Sequence, residues 1–247
     1  MQVLLRRRLG MVINPDDCDC EAASCRQTLD AYGNHHNSCM CTGRVHGRHA
    51  AACTPWKQVF SESGYRVSTE RLLRNTNLAV ADRDQRRMDL IAAPGSRSSG
   101  AYRGLPLFCD VTVVSPLTAR GAPRPGAANH DGKCLEAAIR KKRNTYRDVV
   151  QSGNARFIVL GSEVFGRWCP EAATLVRDLA NLKAREAPLM LRGAARLAWS
   201  RRWWGLITVG TQRAVAEALL ARAGPDLVPS SPAQHTPTLA DLVSDHV

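Results

Sequence analysis

Apolar and polar positions alternate most clearly over Leu107–Val114. Leu107, Cys109, Val111 and Val113 take one side, and Phe108, Asp110, Thr112 and Val114 the other. A period of two marks a strand. Shorter runs at Arg66–Ser68, Leu78–Ala81, Met88–Ala92 and Phe157–Leu160 predict further strands, the last stopped by Gly161. The period lengthens over 133–151, where Leu135, Ala138, Ile139, Tyr146, Val149 and Val150 follow a helical stripe. Two more helices are expected over 170–185 and 189–222. Upstream of the strands, Thr54 suits an N-cap, Pro55 a first helical position and Gly64 a stop, which predicts a short helix burying Trp56, Val59 and Phe60. This order predicts an α/β fold, a mixed sheet flanked by helices. The chain divides into a basic leader with a Cys/His-rich module (1–50), an α/β domain (51–185), a helical extension (186–223) and a proline-bearing tail (224–247) expected to be disordered.

With 44% apolar and 23% charged residues, the chain can bury a core. It has no run of about 18 uncharged apolar residues, which excludes a membrane span. The start, MQVLLRRRLG, is too short in apolar residues for a signal peptide and carries its arginines after them. An intracellular protein is expected. The formal charge is +12, from 29 Arg and only 5 Lys. Guanidinium groups match phosphate geometry, so nucleic acid is the expected partner, DNA first and RNA as the alternative. No membrane partner and no small-molecule cofactor are expected.

Cysteine and histidine are distributed unevenly: of 9 Cys and 7 His, ten residues fall between Cys18 and Cys53. In an intracellular chain such density points to metal ligation before disulfides. Cys18 and Cys20 form one close pair, and His35 and Cys39 another. Zn²⁺ favours four such ligands supplied as two pairs, with the metal replacing a hydrophobic core. Gly33 permits a tight turn that aims His35. Cys25, His36 and Cys41 are spare candidates, and a metal-free cysteine-rich loop is the alternative.

Asp110 interrupts an otherwise apolar strand, and Asp89 lies within a neighbouring strand-like segment, in Arg87-Met88-Asp89-Leu90. Buried carboxylates need a partner or a metal, and two of them on adjacent strands make a hard oxygen site suited to Mg²⁺. Asp110 and Thr112 share one face and define a polar notch. The helical stripe over 133–151 places Lys142 on the packed side, while Arg140, Lys141 and Arg143 flank it. A lysine there either pairs with the aspartates or snorkels to solvent. The arginine-bearing loops 95–103 and 120–124 would track a phosphate backbone.

In order and spacing, these residues resemble the C-terminal region of non-LTR retrotransposon (reverse-transcriptase) polyproteins. There a zinc knuckle precedes a restriction-like endonuclease of the PD-(D/E)xK superfamily. The resemblance spans about residues 8–180 and runs through Arg8-Leu9-Gly10, Cys18-Asp19-Cys20, Asp30 to His35, and Cys39. It continues with the basic pair Arg48-His49, Arg87-x-Asp89, Asp110-Val111-Thr112, Lys142 spaced from Tyr146 as K-x₃-Y, and Phe157 to Gly166. It implies a restriction-endonuclease-like sheet, Asp89 and Asp110 as the acidic pair, and Lys142 as a catalytic lysine moved from strand to helix. Thr112 stands where the superfamily's usual lysine would be. Glu62 or Glu70 would supply an acid from the first helix, which the resemblance opens at Arg48-His49 and Pro55 interrupts.

The reading is thus a metal-dependent DNA endonuclease, nuclear in setting, with structural zinc and catalytic magnesium. Arg48, His49, Arg87, Arg97, Arg103, Arg120, Arg124 and Lys141 are expected along the nucleic-acid path. The alternatives are an inactive nucleic-acid-binding module of the same fold, which Thr112 would favour, and a zinc-stabilised interaction protein.

Overall fold

The computed structural model describes residues 2–14, 18–95 and 101–220. In chain order its elements are α1 (Gln2–Arg8), α2 (Asn34–Ser38), α3 (Arg44–Glu62), β1 (Tyr65–Leu72), β2 (Arg87–Pro94), β3 (Leu107–Val114), α4 (Lys133–Thr145), α5 (Arg147–Gln151), β4 (Arg156–Glu163), α6 (Pro170–Ala184) and α7 (Arg192–Leu220). The four strands form one mixed sheet in the order β1-β2-β3-β4. The first three are antiparallel, and β3 and β4 are parallel, joined by a crossover through α4 and α5. This is an α/β architecture.

Strand alternation in β3 separates two cores. Leu107, Cys109 and Val111 face a cluster built with Trp56, Val59 and Phe60 of α3, Leu175 and Leu179 of α6, and Trp203 and Ile207 of α7. Phe108 faces a smaller cluster with Ile91, Tyr146, Val149, Phe157 and Val159. Trp56, Phe60 and Trp203 are fully buried, and truncating a residue of this kind to alanine typically costs about 3–5 kcal/mol.

Several expectations change. The helix predicted from Thr54 begins at Arg44, after Gly43 in the left-handed region at φ 71°, and Pro55 lies inside it. Proline removes a helical donor. Here its ring packs on α7 at Gly210, where a Cβ would lie 2.9 Å from Pro55 Cγ. The boundary drawn after residue 50 therefore falls within α3. The boundary at 185 separates α7 from a core to which Trp203 and Ile207 belong. The basic leader is helix α1, whose Val3 and Leu4 pack with Ile13 and with Val215 and Leu219.

The strand expected at Leu78–Ala81 is absent: Leu78 and Val80 pack half-buried on the smaller cluster without joining the sheet. The helix expected over 133–151 breaks at Tyr146, whose hydroxyl donates to Arg87 O at 2.8 Å and whose ring packs on Phe157. Arg86 binds Asp84, Asp148 and the Thr145 carbonyl, tying the start of β2 to the end of α4. No described helix is long and apolar enough to cross a membrane. The tail from 224 lies outside the described residues.

Candidate functional site

Two clusters of chemically reactive side chains flank α3. The first forms where the chain doubles back on itself after Cys18. Asp19 bridges Thr28, and Cys20 N donates to Gln27 O at 2.8 Å. Gly33 then turns in the left-handed region, φ 70°, into α2. Asp30 fixes that turn by accepting from His35 N at 2.7 Å and from Asn34 Nδ2 at 2.9 Å. The result gathers Cys20, Cys25, His35 and Cys39, with one ligand atom from each lying within 4.8 Å of the others. The Sγ atoms of Cys20 and Cys25 lie 3.9 and 3.6 Å from that of Cys39, and Cys25 Sγ lies 3.5 Å from His35 Nε2. A tetrahedral zinc site with Zn–S near 2.3 Å and Zn–N near 2.0 Å has S···S edges of about 3.8 Å and S···N edges of about 3.5 Å. The cluster can hold a metal ion such as zinc.

This set corrects the expected one by a single ligand. Cys25 joins the group and Cys18 does not. The Cys18 carbonyl accepts from Leu29 N, while the turn from Ala22 to Cys25 carries the Cys25 thiol to His35. His36 points away, 3.0 Å from Arg44 Nη1, and burial followed by the Arg44 charge holds its pKa at about 4. Cys41 is exposed.

The second cluster lies where β2 and β3 part. Their ladder ends at Leu90↔Cys109. Beyond it, the Val111 amide donates to Asp89 Oδ2 at 2.7 Å, so a side chain replaces the missing strand and is held rigidly. Asp89 Oδ1 lies 3.3 Å from His49 Nε2 on α3. From the other direction, Lys142 Nζ of α4 donates to Asp110 Oδ2 at 2.7 Å. Close seating of α4 depends on Gly161 of β4, where a Cβ would lie 2.8 Å from Leu135 Cδ1. Asp110 Oδ1 is buried without a hydrogen-bond partner among the described residues. A buried carboxylate oxygen in that state is costly, and it suits a cation.

The electrostatics follow from this crowding. Burial, reinforced by the Asp89 charge and opposed by Lys142, raises the Asp110 carboxyl to about 6. Hydrogen bonding to Asp89 and then to Cys53 lifts the His49 imidazole to about 10. Asp89, Thr112, Lys142 and His49 line a notch of about 270 Å³ together with Val45 and Val113. It adjoins a groove of about 540 Å³ lined by Arg124, Lys133 and Lys141.

Of the expected site residues, Asp89, Asp110 and Lys142 come together, with Lys142 on Asp110 and not on both acids. Lys141 is exposed, as are Arg87, Arg120 and Arg124. Arg48 is corrected. It is buried and donates to Asn37 O and Asn37 Oδ1, both at 2.9 Å, and to Val113 O at 3.1 Å, so it braces α2 against β3. His49, expected on the nucleic-acid path, is instead bound to Asp89. Glu62 is also corrected: it faces α7, accepting from Arg202 and from Trp203 Nε1 at 2.8 Å. Glu70 lies on β1, not on a helix. The register leaves it opposite Asp89, in the left-handed region at φ 51°. Burial raises the Cys53 thiol, and the charges of Asp89 and then Glu70 add to that rise. Arg97 and the Arg103 side chain lie outside the described residues.

Sequence reasoning held Cys25 only as a spare candidate for the first cluster and missed Cys53 in the second. Cys53 follows His49 at helical i,i+4 spacing, a signal hidden when the helix is started at Thr54. Comparison with known proteins adds no identification: no protein-family model and no curated protein matches this chain.

Proposed function

We propose that this chain is a divalent-cation-dependent DNA endonuclease of the restriction-like class, braced by a zinc knuckle. The observation carrying the reading is the Lys142–Asp110 pair at 2.7 Å, with the second Asp110 oxygen buried and unpartnered. Oxygen donors from Asp110 and Asp89 would hold a hard cation such as Mg²⁺. When bound, the cation supplies a Lewis acid beside the scissile phosphate. Lys142 presents a fixed ammonium where negative charge develops, the kind of preorganised group that contributes most to such steps. His49 and the Val111 amide orient Asp89. Thr112, at the superfamily's usual lysine position, lines the same notch that Lys142 enters from α4.

The adjoining groove supports the substrate class, since Arg124, Lys133 and Lys141 offer phosphate contacts leading into the notch. The knuckle would take Zn²⁺ through Cys20, Cys25, His35 and Cys39. Arg48 and Asn37 couple its helix to the end of β3, so the metal would also steady one wall of the notch. A DNA substrate implies a nuclear setting in a eukaryotic cell. Incubation of the purified chain with supercoiled plasmid tests the reading. Nicking that requires Mg²⁺ and stops with chelator is expected, and intact plasmid across all divalent cations would refute it.

A further inference from the structure

A single atom, Nε2 of His49, which lines the notch, faces two polar partners, Asp89 and the buried Cys53 behind it. Asp89 Oδ1 lies 3.3 Å away and Cys53 Sγ 3.9 Å away. One ring nitrogen carries one hydrogen and cannot donate well to both. A cation between the three satisfies all of them. With Zn–N and Zn–O near 2.0 Å and Zn–S near 2.3 Å, a tetrahedral ion has N···O and N···S edges of about 3.3 and about 3.5 Å. The three ligand atoms lie within 4.8 Å of one another.

We infer that His49, Cys53 and Asp89 form a second soft-metal site, separate from the knuckle, that takes Zn²⁺ or Co²⁺ with its fourth position open to the notch. His49 and Cys53 are one helical turn apart on α3, which closes a chelate from a single rigid element. Asp89 is already fixed through its other oxygen by the Val111 amide, leaving Oδ1 for the ion, the outer hydrogen bond that ligating carboxylates ordinarily have. The thiolate and imidazole select zinc or cobalt over magnesium. The side chains of His49 and Asp89 are 31% and 11% exposed, giving the ion a path from the notch. Three protein ligands and an open position are the arrangement of exchangeable zinc rather than of a closed structural site. Where the nuclease reading holds, zinc here would withdraw Asp89 from the magnesium set, so zinc would oppose magnesium. The binding itself does not rest on that reading.

The test is metal stoichiometry of the full chain, stripped with chelator, reloaded with Zn²⁺ or Co²⁺ and desalted. Cys53→Ala and Asp89→Asn should each retain one ion fewer per chain than wild type. The thiolate-to-cobalt charge-transfer absorption should fall in Cys53→Ala, with Cys20→Ser removing a different ion. Wild-type stoichiometry in both Cys53→Ala and Asp89→Asn would overturn the site. A failure of the knuckle reading would show only in Cys20→Ser. In cleavage assays, Cys53→Ala should be less sensitive to added zinc than wild type.

Discussion

Replacing Lys142 with methionine keeps the aliphatic stem and removes the ammonium that meets Asp110 at 2.7 Å. The Asp110 side chain is only 1% exposed, and stranding a buried charge usually costs about 3–5 kcal/mol. Here the cost is capped. Burial already raises the Asp110 carboxyl to about 6, so at pH 7 its neutral form lies only about 1.4 kcal/mol above the ionised one. The unpaired carboxyl therefore takes up a proton, and the folded chain should lose about 1–2 kcal/mol, a shift of a few degrees in Tm. On the proposed function catalysis should suffer far more, because the lost group would stabilise developing charge. The expected fall in cleavage is about 10²–10³-fold. Lys141→Met, an exposed neighbour on the same helix, should change cleavage by little beyond a modest loss of binding. Single-turnover cleavage of supercoiled DNA and thermal unfolding, run on both variants, make the comparison. Equal cleavage by Lys142→Met and wild type would refute the role given to the ammonium.

Other expectations are independent of that one. Gly161→Val drives a side chain into Leu135 Cδ1, 2.8 Å from the ideal Cβ. Overpacking of this kind costs about 1–3 kcal/mol. By lifting α4 it should also weaken cleavage, and unchanged activity would show that α4 need not sit so close. Cys25→Ser should lose the knuckle zinc while Cys18→Ser retains it, as read by elemental analysis; the reverse pattern would restore Cys18 to the ligand set. Hydrogen bonds from Arg202, with Gln58 and Trp203, hold the Glu62 carboxyl at about 2. A depressed carboxylate stabilises the fold above its unfolded pKa and loses that contribution as pH falls toward the folded value. Glu62→Gln should thus destabilise by about 1 kcal/mol at pH 7. Chemical denaturation should find the gap narrowing below about pH 4.5, and a gap independent of pH would contradict the assignment.

What the sequence revealed depended on how local the signal was. Strand β3 formed with its expected bounds because eight alternating residues carry both its period and its two faces. Lys142 was legible for the same reason, since Leu135, Ile139 and Tyr146 fix the phase of one helix around it. The start of α3 was hidden because Pro55 imitates a helix beginning, and its acceptance inside the helix depends on Gly210, far along the chain. Cys25 could not be chosen over Cys18 by spacing, because the choice rests on the tertiary path of the turn between Ala22 and Leu29. Arg48 read as a phosphate contact because guanidinium looks the same whether it meets a phosphate or the carbonyls of Asn37 and Val113. The Leu78–Ala81 run had strand composition but no neighbouring strand to pair with.

The most direct test of the account compares wild type with Asp110→Asn in one experiment, measuring Mg²⁺-dependent nicking of supercoiled DNA beside the salt dependence of binding to the same DNA. Asparagine keeps the shape and removes the charge that Lys142 and a cation would share. Nicking by wild type, loss of nicking in Asp110→Asn, and a steep, nearly unchanged salt slope for both are expected, because phosphate contacts set that slope. Nicking by Asp110→Asn at the wild-type rate would contradict the account.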